Sequence, residues 1–453
     1  MARRYPIKAL EDDKPIIYYP EAFKLPPTLK KAAFGKSAVE VAFSQNPNHT
    51  KEFALTKPVS KALCISDFDF ELKPYFNEET LYMGPLVGIF TTGLLESSVK
   101  PAGDRSDYFA KLLESCTSLG AFGYLFTPQS IDWETSTVKG HILHNGKWET
   151  RNLPFPAVIY DRVPSRRAEQ HPQSRFAKER LVKDYFIPWF NPGFFNKIDI
   201  HNRLRESSAA RKYLPETVLY SSVSEVRRLL DKYGSVYLKP CDGSRGKGIC
   251  QVIAELPGST CYARFRNNQG ENKLLKFPNL DALFSEMFST KKRRNLLVQQ
   301  RILLTKADGN AVDFRVHTNK DANGQWQVSA IAAKLAGNQS ITTHAGYGGQ
   351  IHTLEELFGD KKAEIEQKLA NSALELSHIL EQKLDGITGE FGWDLCFDRN
   401  GRAWLLEANS KPGRSIFHSS TMRQSEYLTR KLLIEYAIRL AEKSAVAPEE
   451  IYL

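Results

Sequence analysis

The segment from residue 391 to residue 409 constrains the fold of this chain most strongly. Two apolar runs flank Asn400-Gly401, a dipeptide that favours a two-residue type I′ turn between antiparallel strands. Such a turn places Asp394 directly opposite Glu407. Asn409 then lies on the same face of the hairpin, because side chains alternate along a strand. A bulged turn would shift this pairing by one residue.

These three oxygen-bearing side chains indicate a cation site. Two facing carboxylates repel each other in an apolar sheet unless a positive charge lies between them. Carboxylate and amide oxygens suit Mg²⁺ that is shared with phosphate oxygens. The alternative is a surface hairpin whose acidic residues have no common role.

A glycine-rich loop follows the strand predicted at residues 235–239. The strand ends at Lys239, three glycines follow, and a second strand is predicted from Ile249 to Ala254. Glycines let backbone N–H groups approach phosphate oxygens, and lysines add positive charge. A strand rather than a helix follows the loop, which disfavours the P-loop and the Rossmann fingerprint. An ordinary hairpin loop remains the alternative.

Two further strands carry polar side chains at residues 296–302 and 311–317. The first is apolar and ends in two glutamines. In the second, alternation places Asp313 and Arg315 on one face. This pair is either a buried salt bridge or a contact to ribose or phosphate.

A third strand and a loop follow these two. Lys334 lies near the end of the apolar strand predicted at residues 328–335, where it is either a phosphate contact or a solvated lysine. The loop at residues 343–350 contains three glycines together with His344 and Tyr347. It is either a cover over a substrate or a plain turn, and we expect His344 to form local hydrogen bonds rather than to act as a base.

The order of elements predicts two kinds of architecture. A buried strand at residues 84–91, a helix at 107–116 and a strand at 121–126 indicate a βαβ unit with a parallel sheet, which a strand at 156–161 extends. From residue 196 onward the strands come in hairpins. Two long helices are predicted there, at residues 361–384 and 428–443.

Composition narrows the class of protein. The 453 residues carry a net charge of +10, which suggests an anionic partner. The charge is spread along the chain, so nucleic-acid binding is disfavoured. The six cysteines show no CxxC spacing, which disfavours zinc and a disulfide scaffold and is typical of a cytosolic protein. We expect no signal peptide and no transmembrane segment.

In this order the motifs resemble the ATP-grasp superfamily, and more closely its YheC/YheD family of endospore coat-associated proteins. Residues 160–165, 313–317 and 404–413 carry the closer resemblance. It implies a mixed α/β and α+β fold, in which an N-terminal βαβ-type pre-ATP-grasp domain precedes a two-subdomain ATP-grasp fold with antiparallel sheets. The expected divisions are a small β-rich or irregular region at 1–80, an α/β pre-ATP-grasp domain at 81–195, and an ATP-grasp domain at 196–453 with its lid subdomain at about 215–300.

The resemblance implies ATP and two Mg²⁺ ions as cofactors and gives roles to individual residues. The implied metal ligands are Asp394, Glu407 and Asn409, with Glu407 bridging both ions. The implied phosphate contacts are Lys197, Lys239, Gly243, Ser244, Gly246, Lys247 and Gly248. The implied adenine hinge is Gln299, Gln300, Arg301 and Ile302, and Asp313 is a further nucleotide contact. The implied catalytic groups are Lys334 at the γ-phosphate, Arg315 at phosphate or acylphosphate, and Arg414 near the acceptor.

The sequence departs from the amino-acid ligases of this superfamily at Gly392, where many of them carry an arginine. Either Arg315 or Arg414 replaces that charge, or the reaction differs. The leading hypothesis is a carboxylate–amine (or thiol) ligase that acts through an acylphosphate on small-molecule or peptide substrates. Its expected location is the cytoplasm of a spore-forming bacterium, in association with spore coat proteins. The alternative is a coat-associated scaffold that retains the nucleotide-binding fold with weak catalysis or none.

Overall fold

The computed structural model describes most of the chain. The described residues are 4–48, 50–65, 70–243, 246–255, 258–267, 269–289, 293, 295–307, 309–337 and 349–451. Ser244, His344 and Tyr347 lie outside them. Among the described helices, none combines the length and the apolar composition needed to cross a bilayer.

The region before residue 84 consists largely of strands. A five-stranded sheet has the order β5-β2-β6-β1-β7, and a four-stranded sheet has the order β4-β3-β9-β8. One short helix, α1, packs against strands of both sheets. The elements are β1 (Tyr5–Leu10), β2 (Ile16–Tyr19), β3 (Lys31–Phe34), β4 (Ser37–Glu40), β5 (Ala42–Gln45), β6 (Phe53–Thr56), α1 (Lys57–Ala62), β7 (Phe70–Leu72), β8 (Tyr75–Asn77) and β9 (Thr80–Tyr82).

The next sheet contains the predicted βαβ unit. Its strand order is β12-β13-β11-β10-β15-β16, with β14 paired to β13, and β10 is parallel to both β11 and β15. The prediction of a parallel unit is therefore confirmed. The elements are β10 (Leu86–Phe90), α2 (Ser106–Ser118), β11 (Phe122–Phe126), β12 (Ile131–Asp132), β13 (Thr137–His144), β14 (Lys147–Pro154), β15 (Val158–Asp161), α3 (Arg166–Glu169), α4 (Pro172–Lys183) and β16 (Trp189–Phe190).

An antiparallel six-stranded sheet follows, with the order β17-β22-β18-β19-β20-β21. Helices α7 and α8 bury their apolar faces against it. The elements here are α5 (Lys197–Arg205), α6 (Ser208–Arg211), β17 (Thr217–Leu219), α7 (Val223–Tyr233), β18 (Ser235–Pro240), β19 (Cys250–Ala254), β20 (Cys261–Arg266), β21 (Asn272–Phe277), α8 (Leu280–Met287) and β22 (Leu296–Gln300).

A second antiparallel six-stranded sheet carries the hairpin at residues 391–409. Its order is β26-β25-β24-β27-β28, with β23 paired to β24. The two antiparallel sheets confirm the predicted fold class. The elements are β23 (Lys306–Ala307), β24 (Asn310–Lys320), β25 (Trp326–Leu335), β26 (Gln350–His352), α9 (Leu354–Phe358), α10 (Lys362–Glu381), β27 (Glu390–Phe397), β28 (Ala403–Asn409) and α11 (Arg423–Val446).

The two long helices cover this last sheet. In α10 the residues Leu369, Leu376 and Leu380 are fully buried, as their helical spacing predicts. Helix α11 packs against β24 and β25 and also against α2 and β15, so one helix contributes to the cores of two sheets. Short 3-10 turns complete the chain at Gly103–Arg105, Pro128–Ser130, Gly359–Lys361, Ser415–His418, Ser420–Met422 and Pro448–Ile451.

The hairpin turn differs from the expected type I′ turn. The Gly401 N–H donates to the Asp398 carbonyl (3.0 Å), and Gly401 has φ +76° while Asn400 is not in the left-handed region. This is a type I turn that ends in a glycine bulge, so the pairing beyond it shifts by one residue. A second irregularity beside Leu395 restores the register, and Asp394 lies opposite Glu407 as predicted.

Asn191 joins the parallel sheet to the hairpin sheet. It is 1% exposed and has φ +56°. Its amide nitrogen donates to the carbonyls of Glu390 (2.8 Å) and Ser410 (2.6 Å), and its amide oxygen accepts from the N–H groups of Gly389 and Glu390. All four hydrogen bonds connect Asn191 to backbone groups at residues 389, 390 and 410, so this one side chain fixes the start of β27 beside β16.

We expect Asn191→Ala to lower the free energy of unfolding by about 3 kcal/mol, because it leaves several buried backbone groups without partners. Urea denaturation followed by circular dichroism measures the change. The matched control is Asn145→Ala, which removes an exposed asparagine of the same left-handed backbone (φ +50°). Equal effects of the two substitutions would show that backbone strain, not hydrogen bonding, dominates at Asn191.

Candidate functional site

The facing acids Asp394 and Glu407 form the centre of the candidate site. They are directly paired across β27 and β28. Asn409 follows on the same face, and its amide nitrogen lies 3.3 Å from Oδ2 of Asp394. The bulge in β28 frees the Leu405 N–H, which donates to the Tyr213 carbonyl (2.7 Å). The three predicted metal-type side chains are therefore adjacent.

Positive side chains from neighbouring strands neutralise Asp394. Nε and Nη2 of Arg315 each lie 3.0 Å from one oxygen of its carboxylate. Nζ of Lys334 lies 2.7 Å from Asp394 Oδ1 and 2.7 Å from Asp313 Oδ1. Burial opposes ionisation of Asp394, but the charges of Arg315 and Lys334 outweigh it and hold its pKa below the usual value. Lys334 is therefore paired with two carboxylates, those of Asp313 and Asp394, and is not a solvated lysine.

Lys197 connects Glu407 to the glycine-rich loop. Its Nζ lies 2.9 Å from Glu407 Oε1 and donates to the Gly243 carbonyl. The residue is placed by the start of α5, where Asn196 caps the helix through its side-chain oxygen. The Lys197 N–H also donates to the Cys241 carbonyl (3.0 Å). One lysine thereby joins a carboxylate of the hairpin sheet to the loop after β18.

Lys239 approaches the same region from the end of β18. Its Nζ lies 2.5 Å from Oε1 of Gln299 on the neighbouring strand β22. The Gln299 amide nitrogen in turn donates to Thr217 Oγ1 (3.0 Å). Burial lowers the pKa of Lys239 to about 8, with the nearby charge of Glu407 opposing that shift. The ammonium is therefore mostly charged at pH 7 and mostly neutral at pH 9.

A cleft runs between α5, the lid strands and β28. Its polar lining is Lys197, His201, Thr217, Lys239, Gln299 and Glu407. Its apolar lining is Ile200, Leu204, Leu214, Leu297, Leu405, Leu406 and Ala408. Such a lining combines apolar side chains, which a planar ring can contact, with charges for an anionic tail.

The other predicted nucleotide contacts, at residues 300–302 and 246–248, are not among the residues that line this cleft. The side-chain oxygen of Gln300 accepts from the Glu216 N–H (3.0 Å), so this glutamine fixes β17. Arg301 is exposed, and Ile302 is packed with Cys396 and Trp404. Gly246 and Gly248 have φ +70° and +74°, which fits a loop of exposed backbone, and Lys247 is exposed beside them.

Arg414 lies apart from the acid pair and binds Glu390. Its Nη2 is 2.6 Å from Glu390 Oε2 and 3.4 Å from the hydroxyl of Tyr160. Glu390 is fully buried and also accepts from the Tyr160 hydroxyl. The predicted catalytic groups therefore lie in two places. Arg315 and Lys334 lie at Asp394, whereas Arg414 lies at Glu390, the first residue of β27.

Gly392 lies between these two places and cannot carry a side chain in this packing. A Cβ atom there would lie 2.5 Å from Cβ of Pro412 and 3.2 Å from Nη1 of Arg315. Arg315 therefore occupies space that a side chain at Gly392 would need. This geometry favours Arg315 as the group that replaces the missing arginine charge.

The donor set suits a hard divalent cation. Asp394 and Glu407 supply carboxylate oxygens and Asn409 an amide oxygen. Within the described residues, no three side chains of histidine, cysteine, aspartate or glutamate cluster as a metal site. The mixed acid and amide set lies outside that definition, and in it Arg315 and Lys334 already share Asp394.

Two features were missed by the sequence reasoning. Thr217 orients Gln299, and nothing in its surroundings marks it as polar lining. Lys411 is 2% exposed and lies 2.7 Å from Asp161 Oδ1 and 3.2 Å from Glu169 Oε1. Asp161 and Lys411 stand in two of the three segments that carry the family resemblance, and that resemblance was the available signal.

Comparisons with known proteins give a matching family model and two relatives. A family model described as YheC/D like ATP-grasp matches residues 186–440. The chain is 37% identical over 378 residues to the endospore coat-associated protein YheD of Bacillus subtilis (strain 168), covering 83% of each chain. It is 24% identical over 353 residues to the endospore coat-associated protein YheC of the same strain, covering 76% of this chain and 96% of that protein.

A solved structure of the D-alanine-D-alanine ligase from Coxiella burnetii is also similar. It is 12% identical, with a TM-score of 0.45, and the match covers 80% of this chain and 97% of that chain. Because this TM-score lies below 0.5, the family assignment rests on the family model and on the two relatives.

We expect Gly392→Ala to destabilise the protein by about 1–3 kcal/mol through overpacking against Pro412. In a double-mutant cycle, Pro412→Gly removes the opposing Cβ and should recover part of that loss. Urea denaturation of the four proteins gives the coupling energy. Additive effects of the two substitutions would contradict a direct contact between these positions.

Proposed function

Because the chain belongs to the YheC/D-like ATP-grasp family, we propose that it binds ATP with Mg²⁺ and joins a carboxylate to an amine or thiol. The observation that carries the proposal is the meeting of four cationic side chains around two facing acids, one of which, Glu407, lines the cleft. Lys197, Lys239, Arg315 and Lys334 come from one helix and three strands. A purely structural hairpin would not require this convergence.

In the proposed reaction the cleft holds adenine against its apolar side chains and the phosphates beside its lysines. Lys239 and Lys197, with the backbone of the glycine-rich loop, bind the phosphates. Gln299 positions the Lys239 ammonium, and backbone groups of residues 299–302 contact the base. Lys334, which lies between Asp313 and the metal-type residue Asp394, stabilises charge on the γ-phosphate.

The chemistry requires no protein nucleophile. An oxygen of the substrate carboxylate attacks the γ-phosphorus, the bond to the β,γ-bridging oxygen breaks, and ADP leaves. The amine (or thiol) then attacks the acyl carbon, the acyl C–O bond breaks, phosphate leaves, and the incoming group loses a proton. Arg315 neutralises charge on the acylphosphate. It takes this role because Gly392 has no side chain to supply a charge there.

Asp394, Glu407 and Asn409 are the residues that would hold Mg²⁺, and the ions would supply charge neutralisation to the phosphates. Two Mg²⁺ ions and ATP⁴⁻ together bring no net charge. The balance that Lys197, Arg315 and Lys334 maintain around the acids is therefore preserved when they bind. This supports the expectation of two ions.

The names of the two relatives suggest the cellular setting. Both are called endospore coat-associated, and we propose the same association for this chain, with coat proteins as partners and the cytoplasm as the place of synthesis and action. Small-molecule or peptide carboxylates and amines are the proposed substrates.

A scaffold without catalysis is the second candidate. One observation favours it: Asp394 and Glu407 already have cationic side-chain partners, so the pair does not require a metal for its electrostatic balance. Turnover separates the two functions. Purified protein is incubated with Mg²⁺, ATP and fractionated metabolites of sporulating cells, and phosphate release and new amide products are followed by mass spectrometry.

We expect Glu407→Gln to reduce product formation by about tenfold or more, because even outer-shell metal partners contribute that much. Glu366→Gln, an exposed change on α10, is the matched control and should keep full turnover. Nucleotide binding without turnover in both wild type and Glu407→Gln, with every fraction tried, would favour the scaffold.

We expect Lys239→Met to weaken binding of Mg²⁺-ADP by roughly tenfold, because it removes a charge-assisted contact to phosphate. Isothermal titration calorimetry measures the dissociation constant. Lys276→Met is the matched control, since Lys276 is an exposed lysine on the edge strand β21 of the same lid sheet. Unchanged affinity in Lys239→Met would remove Lys239 from the phosphate site.

Binding should also take up protons near pH 8. Lys239 has a lowered pKa of about 8, so it loses charge as the pH rises through that value, and a phosphate beside it raises the pKa again. Calorimetry at pH 8 in buffers of different ionisation enthalpy should give an uptake of about half a proton for wild type. The uptake should vanish in Lys239→Met. Equal uptake in both proteins would assign it to another group.

A further inference from the structure

A second charged pocket lies beyond the carboxyl ends of β10 and β15. Arg162 and Arg414 lie against Tyr108, Arg105 lies near Arg162, and we call this group the arginine pocket. Cζ of Arg162 lies 5.5 Å and Cζ of Arg414 5.3 Å from the centre of the Tyr108 ring. The fold creates a crevice here, because β11 and β15 lie on opposite sides of β10 and the chain leaves the sheet in two directions.

Arg105 is held firmly at the edge of this pocket. Its Nη1 donates to Thr91 Oγ1 (2.7 Å), and its Nη2 donates to the Thr92 carbonyl (2.8 Å). Thr91 follows β10 directly, and its hydroxyl donates to the Arg162 carbonyl (3.1 Å). The end of β10 thus positions one arginine and braces the backbone of a second.

The pocket carries more positive than negative charge. Glu390 is its carboxylate, bound by Arg414 at 2.6 Å and by Arg162 at 3.4 Å. Asp161, the next acid along β15, is already paired with Lys411. Burial and the neighbouring Arg162 lower the pKa of Arg105, which shows that the guanidinium charges repel each other. Three guanidinium groups against one carboxylate leave two positive charges for an incoming anion.

Several buried polar atoms here make no hydrogen bond within the described residues. They are the Tyr108 hydroxyl, Nε of Arg414 and both ring nitrogens of His317. His317 is fully buried and packs against Phe417. Buried polar atoms in folded proteins almost always have a partner, so this group points to a ligand that supplies oxygen atoms.

The arginine pocket faces the reacting centre along one strand. Glu390, Gly392 and Asp394 lie on the same face of β27, and the four-residue step from Glu390 to Asp394 spans about 13 Å. Pro412 lies over Gly392 between them, so a substrate that reaches both ends would pass beside Pro412. His317 is paired with Gly392 on the adjacent strand β24 and lies beside this path.

We propose that the arginine pocket binds a second anionic group of the substrate, so that the acid activated by this protein carries a carboxylate or phosphate roughly 10 Å from its reacting carboxylate. This inference rests on the proposed function, whose reacting centre defines the other end of the substrate. A planar guanidinium pair binds either oxyanion with two parallel hydrogen bonds. The substrate is thus an elongated acid with a charged group at each end.

Calorimetry on the full chain tests the pocket directly. The nucleotide site is first saturated with Mg²⁺ and a non-hydrolysable ATP analogue, and the protein is then titrated separately with inorganic phosphate and with glutarate. We expect saturable binding of at least one of them. Phosphate alone identifies a phosphorylated substrate, glutarate alone identifies a polycarboxylate, and binding of both supports a site for either oxyanion.

Two substitutions assign the binding to this pocket. Arg105→Met should weaken it roughly tenfold or more. Tyr108→Phe should weaken it about threefold with an unchanged melting temperature, because the lost hydroxyl has no partner within the described residues. Arg151→Met, on the hairpin of β13 and β14, is the control and should bind as wild type does. Wild-type affinity in both pocket variants, or no anion binding at all, would overturn the inference.

The two proposals fail separately in this design. Affinity for the ATP analogue is measured in every variant and should stay close to the wild-type value, because Arg105 and Tyr108 lie outside the nucleotide cleft. If wild type fails to bind the analogue, the proposed function fails. The anions are then titrated into nucleotide-free protein, and the effects of Arg105→Met and Tyr108→Phe decide the pocket alone.

Discussion

The cross-strand pair of Asp394 and Glu407 is the interaction on which the rest of the structure depends. Positive side chains reach these two facing carboxylates from other elements and balance their charge. Arg315 and Lys334 come from the same sheet, whereas Lys197 comes from α5 and also binds the loop after β18. Charge balance therefore fixes the relative positions of the hairpin sheet, the first helix of the region and the lid loop.

Strand β27 connects this centre to the parallel sheet. Glu390 at its start binds Arg162 and Arg414, and Asn191 fixes its backbone. The same face of β27 carries Gly392, which Pro412 covers, and then Asp394. A substrate that reaches both Glu390 and Asp394 would meet positive charge at each of them, so specificity and catalysis can be set by one continuous strand.

Local rules sufficed for much of the fold. The order of strands and helices predicted the βαβ unit, helical spacing predicted the buried stripe of α10, and the turn expected at Asn400-Gly401 predicted the pairing of Asp394 with Glu407. The predicted turn type was wrong. The pairing is nevertheless as predicted, because the bulge at Gly401 and the second irregularity near Leu395 compensate each other, and only coordinates show such compensation. The contact of Gly392 with Pro412 and the clustering of Arg105, Arg162 and Arg414 depend on tertiary packing, which the periodicity of the sequence does not predict.

The central claim is that the facing acids serve a divalent cation shared with nucleotide. The most direct test compares the affinity for ADP with Mg²⁺ and with EDTA, in wild type and in Asp394→Asn. The account predicts that Mg²⁺ strengthens ADP binding by about tenfold or more in wild type and much less in the variant. Equal affinity for ADP with and without Mg²⁺ in wild type would contradict it.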